Sequence, residues 1–195
     1  MVVDGRRENK DGGSNGKGYK QMETIEYLKT PGKHLHIFEP TQEKLESLSR
    51  KLYLNYLWLP DEYRTPKGIE ATMQYLFPYG VDKEIRPMNI FYEMGEFQGL
   101  LGFVNMIPEY RAELFVKIWD KGIFGPDLAR ETKILVKKFM REWKLIRLGF
   151  STPDERNGNF IARLLGMKNE GTMGKAFRFD GKNHTNYLYR RIMEV

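Results

Sequence analysis

A glycine-containing loop, "DKGIFGPD", carries the residues of this 195-residue chain that are best suited to bind an anion. Gly122 and Gly125 lie in the loop, and Pro126 and Asp127 follow at the start of a predicted helix. The first N–H groups of a helix have no partner within the helix, and the helix dipole is positive at that end. Both effects favour a phosphate group, so the loop predicts a phosphate site. In the alternative interpretation, Asp127 caps the helix and no ligand binds.

A second informative stretch lies near the C-terminus, in "NGNFIARLLGM" and "FRFDGKNH". Asn157 is predicted to start a short helix, and Gly166 to end it. Asp180 and Gly181 form a dipeptide typical of the tight turn between two antiparallel strands. This part of the chain therefore predicts a helix followed by a closing hairpin.

The elements that position these residues follow from hydrophobic periodicity. Before the loop we expect a strand from His34, two helices that begin near Thr41 and Pro66, and an antiparallel meander of three strands between Asn89 and Trp119. The two helices should end near Tyr56 and at Pro78.

After the loop we expect a helix with an apolar ridge from Leu128 to Trp143, a strand, the short helix and the hairpin. The predicted order is β, α, α, β, β, β, α, β, α, β, β. No internal repeat is present.

This order, together with the two stretches above, resembles the Gcn5-related N-acetyltransferases (the GNAT fold), and most closely the branch that acetylates the N-termini of ribosomal proteins. The resemblance implies an α/β (α+β) fold with a split, mixed central sheet flanked by about four helices. It also implies transfer of an acetyl group from acetyl-CoA to a primary amine, by direct attack. The acceptor would be a peptide N-terminus or a small-molecule amine.

The resemblance also implies where coenzyme A binds. Its pyrophosphate would lie against the loop and the helix start, and its pantetheine arm against a strand end and the short helix. The implied residues are Ile118, Trp119, Gly122, Gly125, Asp127, Leu128, Ala129 and Asn157. Gly122 and Asp127 depart from the family pattern, which has Gln or Arg at the first position and Gly at the second. This departure supports an alternative, a GNAT-fold binding or assembly protein that has lost catalysis.

Acyl transfer from a thioester requires an unprotonated amine, and a single ordered carboxylate can serve as its base. Glu113, in "RAELFVKIW", is the expected base, because the family carries a Glu in a similar strand. Alternatively it forms an ion pair with Arg111 or Lys117.

The departing thiolate either receives a proton from a side chain or leaves with little assistance. Ser151, Tyr187 and Tyr189 are the candidate acids, although the two tyrosines would serve equally well in core packing.

The acceptor pocket should be walled by the first two helices and their connection. Trp58, Asp61, Glu62 and Tyr63 are the residues expected there to receive a cationic amine. The acceptor is the partner that we expect, and a homodimer is left open.

Composition limits the remaining classes. A net charge of +6 favours anionic partners, but the basic residues are spread along the chain, which argues against nucleic acid. The absence of cysteine and of a long apolar run favours a cytoplasmic protein with no membrane span. His34 and His36 lack a convincing third ligand, so no metal is expected. Residues 1–33 are expected to form a flexible leader, and residues 34–195 the GNAT domain.

Overall fold

The computed structural model of the chain describes residues 32–54, 59–77 and 88–193. The leader proposed for residues 1–33 therefore lies almost entirely outside the described residues, as do Tyr56 and Pro78. The described helices and strands follow the predicted order. They are β1 (Leu35–Ile37), α1 (Gln42–Tyr53), α2 (Pro66–Leu76), β2 (Met88–Met94), β3 (Gly99–Ile107), β4 (Arg111–Ile118), α3 (Pro126–Glu142), β5 (Arg147–Thr152), α4 (Glu155–Leu165), β6 (Lys168–Phe179) and β7 (Lys182–Ile192).

The strands form a seven-stranded sheet in the order β1-β2-β3-β4-β5-β7-β6. Neighbouring strands are antiparallel, with the exception of β4 and β5, which pair in parallel. A parallel pair needs a crossover, and α3 supplies it between β4 and β5. The predicted mixed sheet with four flanking helices is confirmed.

The helices divide between the two faces of the sheet. On one face, α1 and α2 bury Leu48, Leu52 and Leu76 against side chains of β2 and β3 that include Phe91 and Leu100. We call this the α1–α2 face. On the opposite face, the α3–α4 face, the two later helices enclose the larger of the two cores. None of the described helices is both long and apolar enough to cross a membrane.

Local sequence determines where α1 and α2 begin. Thr41 Oγ1 accepts a hydrogen bond from the N–H of Lys44 at 3.3 Å, and Thr65 Oγ1 accepts one from the N–H of Gly68 at 3.1 Å. Both threonines are therefore N-caps, as the sequence predicted for Thr41.

Two other helix starts differ from the predicted ones. The N-cap of α3 is Gly125, and Asp127 lies inside the first turn. The N-cap of α4 is Asp154, whose carboxylate accepts from the N–H of Asn157 at 3.0 Å. The predicted cap Asn157, and Asp127 as the cap in the alternative interpretation, were therefore wrong. Pro126 needs an extended residue before it, and Asp154 reaches the N–H groups of its helix first.

The C-terminal turn is as predicted. Asp180 and Gly181 both have positive φ, at 48° and 72°, which is the backbone of a type I′ hairpin turn. Gly166 ends α4 in the left-handed conformation at φ 67°.

Candidate active site

The central feature of the site is a fork between the two parallel strands. β4 and β5 are paired from Arg111 with Arg147 to Leu114 with Phe150, and beyond these residues their pairing stops while both strands continue. The edge of β4 that faces β5 is therefore unpaired from residue 115 to residue 118. An unpaired strand edge offers backbone N–H and C=O groups to an extended ligand.

A cleft of about 430 Å³ opens at this fork. Its walls come from β3 to β7, and they are Val104, Glu113, Leu114, Phe115, Val116, Lys117, Arg147, Gly149, Phe150, Ser151, Thr152, Glu170, Leu188, Tyr189 and Arg190. Two residues that the sequence placed in catalysis, Glu113 and Ser151, are thereby brought together.

Glu113 is exposed and lies on the α1–α2 face of β4. Its Oε2 accepts a hydrogen bond from Nδ2 of Asn105 at 3.2 Å, and Oδ1 of Asn105 in turn accepts one from the hydroxyl of Tyr75. The predicted alternative partners, Arg111 and Lys117, form no ion pair with it. A carboxylate that is held by a neutral amide and open to solvent can accept a proton from an approaching amine.

Asn105 owes its position to a bulge in β3. Between Val104 and Ile107 the register with β4 shifts, and Asn105 there has φ 52°, a left-handed conformation that Asn tolerates better than most residues. Its N–H donates to Oδ1 of Asn89 at 3.1 Å, which fixes the bulge. Sequence reasoning missed Asn105, and the signal that could have indicated it was the Asn within the otherwise apolar strand "GLLGFVNMI".

Ser151 and the two tyrosines differ in their positions. Ser151 is exposed at the fork. It follows Phe150, the last residue of β5 that pairs with β4. Tyr189 is buried on the α3–α4 face, and its hydroxyl donates to Oδ1 of Asn159 at 3.1 Å. Tyr187 does not line the cleft, and the nearby carboxylate of Glu155 raises its pKa. Of the three candidate acids, Ser151 is the best placed.

The start of α3 presents free backbone donors. The N–H groups of Gly125, Asp127 and Leu128 make no hydrogen bond to any described residue, and no side chain caps the helix. A Cβ added at Gly125 would meet nothing within 4 Å. The predicted anion site at the helix start therefore fits a phosphate. The N–H of Ala129 donates to the carbonyl of Gly125 at 3.0 Å. Ala129 can therefore contact the coenzyme only through its side chain.

The N–H group of Gly122, by contrast, already has a hydrogen-bond partner. Its N–H donates to Oδ1 of Asp120 at 2.9 Å, and Oδ2 of Asp120 accepts from Nε2 of Gln98 at 2.7 Å. Both hydrogen bonds lower the pKa of Asp120, and the one from Gly122 has the larger effect. The carboxylate of Asp120 thus occupies the N–H group of Gly122. The prediction that Gly122 contacts the coenzyme therefore needs correction.

Trp119 also has a structural role. Its N–H donates to the carbonyl of Gln98 at 3.1 Å, and its Nε1 donates to the carbonyl of Phe97 at 2.6 Å. Trp119 thereby joins the β2–β3 turn to the end of β4, and its backbone donor is not available to a ligand. Ile118, the neighbouring residue, ends the unpaired edge of β4, and its contact with the pantetheine arm stays a prediction.

Asn157 lies on the side of α4 that approaches the loop before α3. Phe160, one helical turn later, makes an edge contact with Phe124 of that loop at a ring distance of 5.2 Å. Side chains three residues apart share a helix face, so Asn157 faces the same gap. Its Nδ2 donates to Asp154 at 2.6 Å, which leaves its carbonyl oxygen for a ligand.

The structure gives Asp61, one of the predicted acceptor residues, another role. The carboxylate of Asp61 accepts hydrogen bonds from the N–H groups of Asp180 and Gly181 at 2.9 Å and 2.8 Å, and it also contacts Arg64. It therefore stabilises the closing hairpin and is not available to bind an amine. Glu62 and Tyr63 are exposed. Trp58 lies outside the described residues.

The role of Asp61 gives a first testable prediction. The hydrogen bond from Gly181 is the largest of the effects that lower the pKa of Asp61, so its carboxylate stabilises the fold above about pH 4 and loses that effect as the pH falls through the lowered value. Asp61→Asn should therefore be less stable than wild type in urea at pH 7, and the difference should become smaller in acid, as the pH falls below about 4. Glu62→Gln is the matched control and should match wild type at pH 7 and in acid. A difference for Asp61→Asn that keeps its size at low pH would contradict this account.

Comparison with known proteins identifies the architecture. No family model and no curated protein matches the sequence. Among solved structures, the microcin C7 self-immunity acetyltransferase MccE, in complex with acetyl-CoA and AMP, is 12% identical with TM-score 0.61, and the match covers 86% of this chain and 99% of that one. A ribosomal L7/L12 α-N-protein acetyltransferase, RimL, in complex with coenzyme A, is 18% identical with TM-score 0.60, covering 84% and 97%.

A third similar structure is the spermidine N-acetyltransferase from Vibrio cholerae, in complex with coenzyme A and spermine. It is 12% identical with TM-score 0.60, and the match covers 82% of this chain and 95% of that one. At these identities the similarity shows the fold, and the predicted GNAT fold is confirmed.

Proposed function

We propose that this GNAT-fold chain is an acetyl-CoA-dependent N-acetyltransferase that acts on a primary amine by direct attack. The observation that carries the proposal is the fork, because its cleft contains an accessible carboxylate, Glu113, and its unpaired strand edge leads towards the free N–H groups of α3. The similar structures support it, since they are acetyltransferases recorded with acetyl-CoA or coenzyme A.

The chain's backbone would hold the coenzyme. The N–H groups of Gly125, Asp127 and Leu128 can donate to a pyrophosphate, which the dipole of α3 also attracts. The unpaired edge of β4 can pair with the amides of the pantetheine arm as an added strand would. Neither interaction needs a side chain, so the departures from the family pattern leave these contacts intact.

Acetyl-CoA supplies an acetyl group activated as a thioester. Glu113 would take the proton of the attacking amine, directly or through one water, since an α-amino group has an ordinary pKa of about 8 and needs little driving force near neutral pH. The hydroxyl of Ser151 would donate a proton to the departing thiolate. Asn105 would position Glu113 through its amide.

The acceptor that we favour is a peptide N-terminus or a small-molecule amine. Among the similar structures, RimL is described as a ribosomal α-N-protein acetyltransferase, and another as a spermidine acetyltransferase. Both are amine acetyltransferases, and they differ in the size and charge of the acceptor.

Two acidic residues near the helix start favour a second candidate function, a binding or assembly module without catalysis. Asp120 occupies the N–H of Gly122, and Asp127 adds an exposed negative charge to the first turn of α3. Both reduce the attraction for a pyrophosphate.

Coenzyme binding and amine-dependent thiol release separate the two functions. Calorimetry should show one coenzyme A per chain, and a thiol-reactive dye should report coenzyme release from acetyl-CoA when a peptide amine is added. A ligand present at 100 times its dissociation constant stabilises the fold by about 2.7 kcal/mol, so the melting temperature should also rise. Absence of heat and of a melting shift at millimolar coenzyme would refute the enzyme function.

Asp127 gives a further prediction. Its carboxylate opposes the charge of a pyrophosphate at the start of α3, so Asp127→Asn should bind coenzyme A about two- to fivefold more tightly, as expected for the loss of an exposed like charge. Stability should fall by no more than about 1 kcal/mol, because an acidic residue in the first turn favours the helix.

Calorimetry at low and high salt would test the effect of Asp127. The gain in affinity should shrink as salt screens the two charges. Weaker binding by Asp127→Asn would show that the pyrophosphate lies elsewhere.

A further inference from the structure

The cleft contains more positive charge than acetyl transfer requires. On the α1–α2 face, Lys117, Arg147 and Arg190 line it, against the carboxylates of Glu113 and Glu170. Three cationic and two anionic side chains leave one positive charge in excess. A ligand that carries one carboxylate would balance it.

Arg147 lies beside another arginine. It is directly paired with Arg111 across the parallel strands, and successive side chains alternate between faces, so both lie on the α1–α2 face. Neither forms an ion pair with a carboxylate among the residues that the structure describes. Like charges opposite each other destabilise a sheet, and an anion between them would remove that cost.

Arg190 is paired on one side only. Its Nη2 lies 2.6 Å from Glu170, whereas its Nε is buried without a hydrogen-bond partner in the described part of the chain. A buried donor that is left unpaired is costly, so an acceptor supplied by a ligand would be stabilising.

A row of three residues sets the distance between base and cation. Glu113 pairs with Gly149, and Gly149 pairs with Arg190 on the next strand. Neighbouring strands are about 4.8 Å apart, so the backbones of Glu113 and Arg190 are separated by about 10 Å, with a residue between them that has no side chain. Gly149 therefore forms a floor on which a short acceptor can lie.

Lys117 lies at the opposite end of the cleft from Arg147, because six residues of β4, about 20 Å, separate it from Arg111, the partner of Arg147. It is partly buried, lines the cleft and forms no ion pair with a described residue. Burial lowers the pKa of Lys117 to about 8.

We infer that the acceptor carries a carboxylate close to its primary amine, with the amine at Glu113 and the carboxylate between Arg147 and Arg190. The inference rests on the proposed acetyltransferase function. It favours a peptide whose second residue is acidic, or an acidic amino acid, and it disfavours a polyamine, since a cationic chain would be repelled by the two arginines.

A matched set of acceptors tests this inference. Two C-terminally amidated peptides, Ser-Asp-Ala-Ala and Ser-Asn-Ala-Ala, differ in a single charge, and spermidine is the third acceptor. We expect kcat/KM to be about tenfold higher for the Asp peptide than for the Asn peptide, and spermidine to be the poorest acceptor. An acetylated product of free aspartate would show that an amino acid suffices.

Variants assign the preference to the cleft. Arg147→Gln should reduce the ratio of kcat/KM between the Asp and Asn peptides by at least threefold, mainly through KM. Arg141→Gln, an exposed arginine in the last turn of α3, is the matched control and should keep the wild-type ratio. The coenzyme-induced melting shift would confirm that each variant is folded.

The outcomes separate this inference from the proposed function. Turnover with a ratio near one, or a preference for spermidine, would overturn the carboxylate subsite and leave the proposed function in place. Coenzyme binding without turnover on any of the three acceptors would overturn the subsite and favour the binding module over the enzyme. Absence of both coenzyme binding and turnover would overturn the proposed function, and the subsite with it.

Discussion

Glu113→Gln should lower the rate of amine acetylation by about 10²-fold or more, which is the contribution expected of a positioned general base. The amide keeps the size of the carboxylate and can still bond Asn105, whose side-chain amide both donates and accepts. The cleft should keep its shape, and coenzyme affinity should hardly change. Initial rates with a peptide amine, together with calorimetry on coenzyme A, would measure the two effects separately.

The pH profile distinguishes a base from a structural carboxylate. Without Glu113, the rate should rise with pH up to the pKa of the free amine, because only amine that is already unprotonated can react. Glu109→Gln is the matched control, since that exposed carboxylate contacts Lys144 outside the cleft. Unchanged turnover of Glu113→Gln at pH 7 would assign Glu113 a structural role, in which it only secures the β3 bulge.

Local signals in the sequence were sufficient to predict the order of the elements. The threonine caps and the proline at the start of α2 act within a few residues, and the Asp180-Gly181 turn needs positive φ at adjacent positions, which few dipeptides tolerate. The periodicities of α3 and the meander are similarly local. These features depend on the chain near each residue, so they could be predicted without knowledge of the tertiary contacts.

The two helix caps that were wrong show the limit of this reasoning. At α4, both Asp154 and Asn157 are good cap residues, and they lie three positions apart. When two cap residues compete, the end of β5 decides which side chain bonds the free N–H groups of the helix. Local sequence patterns do not determine where β5 ends. At α3, the extended conformation that Pro126 imposes on Gly125 moved the cap away from Asp127.

Contacts between distant elements explain the differences at the site. Asp61 bonds a turn 119 residues away, and Asn105 meets Glu113 only because a bulge changes the register of β3. Neither contact leaves a periodic pattern in the sequence. Glu113 itself could be predicted from the family resemblance, whereas its partner and the positive cleft around it required the sheet register.

Gly125→Asp should separate coenzyme binding from fold stability. Gly125 is the N-cap of α3 with φ −127° and ψ 177°, a conformation that Asp adopts readily at an N-cap. The new carboxylate would accept from the free N–H groups of the first turn, so the helix should be as stable as in wild type or a few tenths of a kcal/mol more stable.

The same carboxylate would fill the proposed pyrophosphate site and repel its charge, so coenzyme affinity should fall by about tenfold or more, a loss of at least about 1.4 kcal/mol. Gly174→Asp is the matched control, because a side chain there also meets nothing within 4 Å, and it lies on β6 away from α3. Calorimetry and thermal melts of the three proteins would measure both effects. If Gly125→Asp retained its affinity for coenzyme A, the pyrophosphate would not lie at this helix, because a ligand phosphate and a capping carboxylate cannot accept from the same N–H groups.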